Sequence, residues 1–171
     1  GRTVRERVLA LISIAHPRFR AELLEAARER KLVTVDQITW PEEGRPYPLE
    51  LESIEKFKDS EIFFRPVRPT DERLLRDFFY SHSEETVYQR YHASVRSLTP
   101  KQVQQLCTLD YDERMAIAGF QREGEAERMV AIGRYDLERA SNTAEVAITV
   151  HDKLQGRGIG TWLLGRLVDV A

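Results

Sequence analysis

The chain has 171 residues, 26 of them Lys or Arg and 28 Asp or Glu, for a formal net charge of −2. That length suits one compact core with a small appendage, and the near-neutral balance offers no broad attraction to nucleic acid or an anionic membrane. Cys107 is the single cysteine, which excludes intrachain disulfides and cysteine-rich zinc sites; no apolar run approaches the ~20 residues needed to cross a bilayer and no secretory leader is visible, so a cytoplasmic protein is expected.

Two amphipathic helices are predicted first. Val4, Val8, Leu11 and Ile12 fall on one helical face; Pro17 suits a first helical position, ahead of Phe19, Leu23 and Ala27. His16, just before Pro17, belongs to the turn between them. Pro41, Gly44, Pro46 and Pro48 then give connector composition. The chain therefore divides into a helical segment (1–38), a connector (39–60) and a main domain (61–171).

The main domain opens with a short strand, Ile62–Arg68, in which Pro66 predicts an edge position or a bulge. Asp71 is placed to cap a helix that turns Leu74, Leu75, Phe78 and Phe79 toward the core. Ser81 and Glu84 predict a capping box for a helix bearing Val87, Tyr88 and Tyr91. Thr99, Pro100 and Gln102 start another, on which Val103, Leu106 and Cys107 form an apolar stripe, and Cys107 reads as core filler rather than a nucleophile. Met115–Phe120 and Met129–Tyr135 are strands about a hairpin turn at Arg122–Ala126, with Arg114, Arg122 and Arg128 on its solvated side. Thr143–Val150 completes an antiparallel meander.

Gln155-Gly-Arg-Gly-Ile-Gly160 follows that last strand and precedes Ile159, Trp162, Leu163 and Leu167 at helical spacing. A tight turn into a helix N-terminus aims unpaired N–H groups and the positive end of the helix at one point, an arrangement that binds phosphate. Glycines admit positive φ and close approach of a bulky anion, and Arg157 adds a guanidinium fork. A P-loop lysine is lacking, and the Gly-x-Gly-x-Gly spacing departs from the dinucleotide fingerprint. An ordinary glycine-containing turn remains the competing reading of this stretch alone.

The motif resembles the Gln/Arg-x-x-Gly-x-Gly/Ala signature of the GNAT superfamily of N-acetyltransferases, and the ordered elements from Glu61 onward follow that family. Ser83–Tyr91, Leu98–Pro100 and Leu109–Asp112 resemble its bacterial protein lysine acetyltransferases. The resemblance implies an α+β fold with a mixed sheet: part of the GNAT fold, an antiparallel meander with flanking helices, plus the N-terminal helical appendage. It implies a further parallel strand beyond the last helix, so 61–171 is expected to be the N-terminal portion of the domain, with an open sheet edge through which copies of the chain could pair. Leu11–Arg20 resembles the C-terminal tail of acetyl-CoA hydrolase/transferases, which implies a fusion of the two enzymes; in isolation the segment reads rather as a two-helix lead-in with no chemistry, since a tail without its parent domain cannot form that active site.

The implied reaction is acetyl transfer from acetyl-CoA, the cosubstrate, to a primary amine, either a protein lysine or a small amine. The resemblance places CoA on Ile148, Thr149, Val150, Gln155, Gly156, Arg157, Gly158, Ile159, Gly160 and Thr161. It makes Glu145 the catalytic base, on the strand face it shares with Ala147 and Thr149; read without the resemblance, a strand glutamate is solvated or ion-paired. Tyr88, Tyr91 and Tyr111 lie toward the implied acceptor side, mostly as packing. His82 and His92 read as surface or capping residues, and His151 follows the strand without an orienting carboxylate other than Asp152. Four scattered histidines give no metal-binding spacing, so no metal is expected. The competing functions are a CoA-sensing regulatory module without catalysis and a purely structural interaction domain.

Overall fold

The computed structural model describes residues 3–41, 44–82, 97–124 and 126–171. The helix expected to bear Val87, Tyr88 and Tyr91, Glu84 of its capping box and His92 lie outside them; Ser81, the other half of that box, instead ends the helix Glu72–Tyr80 and donates to the Phe78 carbonyl at 2.7 Å. Among the described residues the fold is α+β: one five-stranded antiparallel sheet with helices packed on it. The strands are β1 (Ser53–Phe57), β2 (Ser60–Pro66), β3 (Arg114–Glu123), β4 (Ala126–Glu138) and β5 (Thr143–Val150), side by side in chain order. The helices are α1 (Val4–Ile14), α2 (Pro17–Glu29), α3 (Glu72–Tyr80), α4 (Pro100–Cys107) and α5 (Ile159–Val170). Among the described residues, no helix is long and apolar enough to cross a membrane.

Local grammar explains most boundaries. Thr3 and Glu6 cap α1 reciprocally, His16 caps α2 ahead of Pro17, and Thr99 with Gln102 forms the box that starts α4 at Pro100. The β3–β4 register pairs Glu123 with Ala126, which leaves a two-residue turn opened by Gly124 at φ +65°. β1 lies inside the expected connector. It pairs with β2 only as far as Phe64, so Pro66 sits on a local edge with no ladder bond to lose.

Asp71 does not cap α3. Its carboxylate accepts from the N–H of Arg68 (2.7 Å) and holds the Arg65 guanidinium in a bidentate pair at 2.7 and 2.9 Å. Both residues are buried, and Arg65 also lies over the Phe120 ring at 4.0 Å. This pair fastens the end of β2 to the head of α3.

α5 covers the opposite face. Trp162 packs on Phe64 with ring centroids 4.2 Å apart. A Cβ on Gly133 would come within 3.0 Å of Leu167, so the missing side chain lets α5 settle against β4. Cys107 is fully buried in this main core, and burial pushes its thiol pKa up.

A second, smaller core holds Leu9, Ile12, Leu24, Ala27, Val33 and Trp40. Its stripes differ from those expected: Leu11 and Phe19 are exposed, because α1 and α2 are apolar on more than one face and their contact selects Leu9, Ile12 and Leu24. Polar ties join this layer to the main domain. Arg5 forks onto Glu72 at 2.8 and 3.1 Å, and Gln104 accepts from the N–H of Ile38 at 2.8 Å.

Candidate functional site

β5, the loop after it and the first turn of α5 form one continuous surface. Ile148 and Val150 pack on the main core, and a Cβ on Gly160 would sit 3.8 and 3.9 Å from their side chains. The alternate residues Glu145, Ala147 and Thr149 therefore share the other face. Glu145 is exposed and lies directly across from Asp136 of β4. Asp136 is in turn 3.6 Å from Arg134.

The ladder fixes where the backbone points. His151 N–H donates to Val130 C=O at 2.9 Å, and β4 and β5 run in uninterrupted antiparallel register from there. In such a ladder alternate residues bond to the partner strand. Thr149, Ala147 and Glu145 thus bond toward β4, while Ile148 and Val150 turn their N–H and C=O groups to the open edge. Gln155 confirms this for Val150, since its side-chain amide donates to the Val150 carbonyl at 3.0 Å and to Asp152 at 3.3 Å.

The loop then exposes its amides. Gly156 and Gly158 have φ of +69° and +89°, and a Cβ on either would meet nothing within 4 Å, so the space before them is open. The first bond of α5 runs from Trp162 N–H to Gly158 C=O. Ile159, Gly160 and Thr161 N–H are consequently left without partners inside the helix. Among the described residues, no backbone carbonyl accepts from any N–H between Gly156 and Thr161. A helix N-terminus and a glycine turn with open space before Gly156 and Gly158 thus adjoin one another, an arrangement suited to an anion.

Side chains in this stretch mostly support the loop. Ile159 is buried in the main core, so only its backbone is available to a ligand. Arg157 donates to Ser60 Oγ and to the Lys153 carbonyl, both at 3.3 Å, and so pins the loop to the β1–β2 turn. Ser60 went unnoticed in the sequence because nothing local links it to a residue 97 positions away.

His151 is more deeply engaged than its sequence position suggests. Its ring is buried, Nδ1 accepts from Lys153 N–H at 3.3 Å, and Nε2 lies 2.9 Å from the Arg128 guanidinium. Burial first, then the positive charge of Arg128, hold its pKa below the usual 6.5. A neutral ring spares Arg128 a second positive charge 2.9 Å away. Arg128 is therefore not a solvated hairpin residue. His82 is a cap, its Nδ1 bonded to the Phe78 carbonyl at 2.7 Å, with its ring 5.9 Å from that of His151. Tyr111 is packing: it is buried and donates to the Val67 carbonyl at 2.8 Å.

The sequence and fold have counterparts among known proteins. Residues 1–27 match the acetyl-CoA hydrolase/transferase C-terminal domain family. An acetyltransferase of Pseudomonas aeruginosa is 31% identical over 110 residues, 64% of this chain and 59% of that protein. Acetyltransferase Pat of Mycolicibacterium smegmatis is 35% identical over 124 residues, 72% of this chain but 35% of Pat. The chain thus spans between about a third and three fifths of these relatives. The crystal structure of the GNAT domain of S. lividans PAT is 30% identical and superposes with a TM-score of 0.65, covering 72% of this chain and 73% of that one. With this fold, this loop and these relatives, the chain belongs to the GNAT superfamily of N-acetyltransferases.

Proposed function

We propose that this chain carries the cosubstrate-binding half of an N-acetyltransferase acting on a primary amine, with a protein lysine as the acceptor. The observation behind this reading is the glycine turn and helix N-terminus at Gly156–Thr161, whose amides have no geometric backbone acceptor among the described residues, beside the outward-turned backbone of Ile148 and Val150. The loop amides would hold the diphosphate of acetyl-CoA, and the β5 edge would orient its acyl end. Acetyl-CoA supplies a thioester whose acetyl group an amine can take. Gln155 and Arg157 keep the loop in shape, through Val150 and Ser60 respectively. Binding far from the reacting carbon is then used to place it.

A lysine amine has a reference pKa of about 10.4 and must lose a proton before it attacks. Glu145 would accept it, directly or through water, on the face where Ala147 leaves room beside it. Glu145→Gln should lower transfer by about 10²–10⁴-fold and leave CoA affinity unchanged. Calorimetric titration with CoA, paired with mass spectrometry of acetylated lysine peptides, measures both. Unchanged transfer would remove Glu145 from the reaction.

The exposure of Glu145 also favours a second reading, a module that binds CoA without transfer. It predicts the same titration and no acetylated product from any amine. The match at residues 1–27 supports a parent protein in which an acetyl-CoA hydrolase/transferase precedes the acetyltransferase. In that arrangement 1–38 closes the first enzyme, 39–60 connects, and 61–171 begins the second, with β1 already part of the second sheet.

A further inference from the structure

A cavity of about 690 Å³ lies where the α1–α2 layer meets the main domain, far along the chain from the glycine loop. Its volume falls within the ~300–1,000 Å³ typical of small-molecule sites. Trp40, Tyr47 and Tyr111 form aromatic walls, Ile14 and Leu49 add aliphatic surface, and Arg20 projects from α2.

The polar groups around it are mostly committed. Tyr111 Oη donates to Val67, Tyr47 Oη donates to Glu52 at 2.7 Å, and Ser13 Oγ donates to Ala10 at 2.8 Å. Arg68 is neutralised by Glu52 at 2.5 Å and stacks on the Tyr47 ring at 4.5 Å. Arg20 differs. Its Nε donates to the Ala15 carbonyl at 2.9 Å, and among the described residues no carboxylate pairs with its two terminal nitrogens. Burial already works against its charge. One half-buried guanidinium fork thus faces a cavity whose other charged lining residue, Arg68, is already paired, with the neutral polar side chains of His16 and Thr70 beside it.

We propose that this cavity binds a small organic monocarboxylate with a flat apolar body, its carboxylate on Arg20 and its body against Trp40 and Tyr111. A single fork matches one carboxylate in a bidentate manner. A phosphoryl group or polyanion would demand donors that Tyr47, Tyr111 and Arg68 have already spent. The ligand would bridge α2 and the main domain, since Arg20 belongs to the first and Tyr111 to the second.

The test uses the whole chain with 2-naphthoate and its neutral analogue 2-naphthamide, by calorimetric titration and thermal unfolding. Naphthoate should bind saturably, raise the unfolding temperature and bind about 10–100-fold more tightly than the amide. Arg20→Gln, checked for folding by circular dichroism, should erase that preference. Leu49→Trp, a change at an exposed wall position that fills the space, should weaken both ligands. Equal binding of acid and amide by the unmodified chain would overturn the proposal. So would unchanged naphthoate affinity in Arg20→Gln, absence of saturable naphthoate binding, or displacement of naphthoate by inorganic pyrophosphate. None of these readouts depends on acetyl transfer or on CoA, so failure here leaves the reading of the glycine loop standing, and the reverse.

Discussion

Gly158 and Gly165 belong to the same stretch of chain and should respond oppositely to a side chain. Gly158 sits at φ +89° as the cap of α5, with open space before it. A β-branched residue there costs about 1–2 kcal/mol or more in backbone strain and projects into the open space proposed for the anion. Gly158→Val should therefore weaken CoA binding by at least about tenfold while also lowering stability. Gly165 lies within α5, exposed, and a Cβ there meets nothing within 4 Å. Gly165→Ala should stabilise by about 0.5–1 kcal/mol with CoA affinity unchanged. Titration and thermal melts on both variants decide this.

His151 makes a pH prediction at the same scale. Its folded pKa is held below the usual 6.5, so the unfolded chain binds the proton more readily. Stability from this residue is present in full above the unfolded value and is lost as pH falls through the lowered folded one. Urea midpoints at about pH 7.5 and 5.5 should fall less in His151→Gln than in the unmodified chain. The sequence placed His151 next to the loop but not its partner, because Arg128 reaches it across the β4–β5 ladder. Glu145, Ala147 and Thr149 were readable from two-residue alternation alone, which needs no knowledge of neighbours.

Elements were legible where their own residues specify them. The Thr99 and Gln102 box, Pro17 at the start of α2 and the alternation of β5 each predicted what folds there. β1 was not, for a physical reason: Ile54 faces solvent at 62% exposure while Ser53, Glu55 and Phe57 face inward, so the strand has no apolar alternation. Its turn at Lys58–Asp59 also lacks glycine, Lys58 taking φ +50° itself. Asp71 misled for another reason. A capping residue and an ion-pair partner look alike until Arg65 is known to point inward. Since the Arg65–Asp71 pair is buried and bidentate, Arg65→Met should leave an uncompensated carboxylate between β2 and α3 and cost about 3–5 kcal/mol. Denaturant unfolding of that variant measures it, and a loss near zero would show that water reaches Asp71.

At the scale of the whole molecule, the β3–β4–β5 meander could be read because each of these strands pairs with its neighbour in sequence. The attachment of α1 and α2 could not, since it rests on Arg5 meeting Glu72 and Gln104 meeting Ile38, contacts 67 and 66 positions apart. The site is spread likewise. Its donors are local to one loop, whereas the groups that brace it come from the β1–β2 turn and from β4.

The placement of the two tryptophans has a practical result. Trp40 lies in the small core and Trp162 on the large one, so each core has one tryptophan, whose emission can be excited apart from that of tyrosine. Six buried side chains are too few for an independently cooperative unit, and the polar bonds that fasten that layer are open to competition by urea. Emission from Trp40, read in Trp162→Phe, should shift at lower urea than emission from Trp162, read in Trp40→Phe. Coincident midpoints would instead mark the chain as a single all-or-none unit.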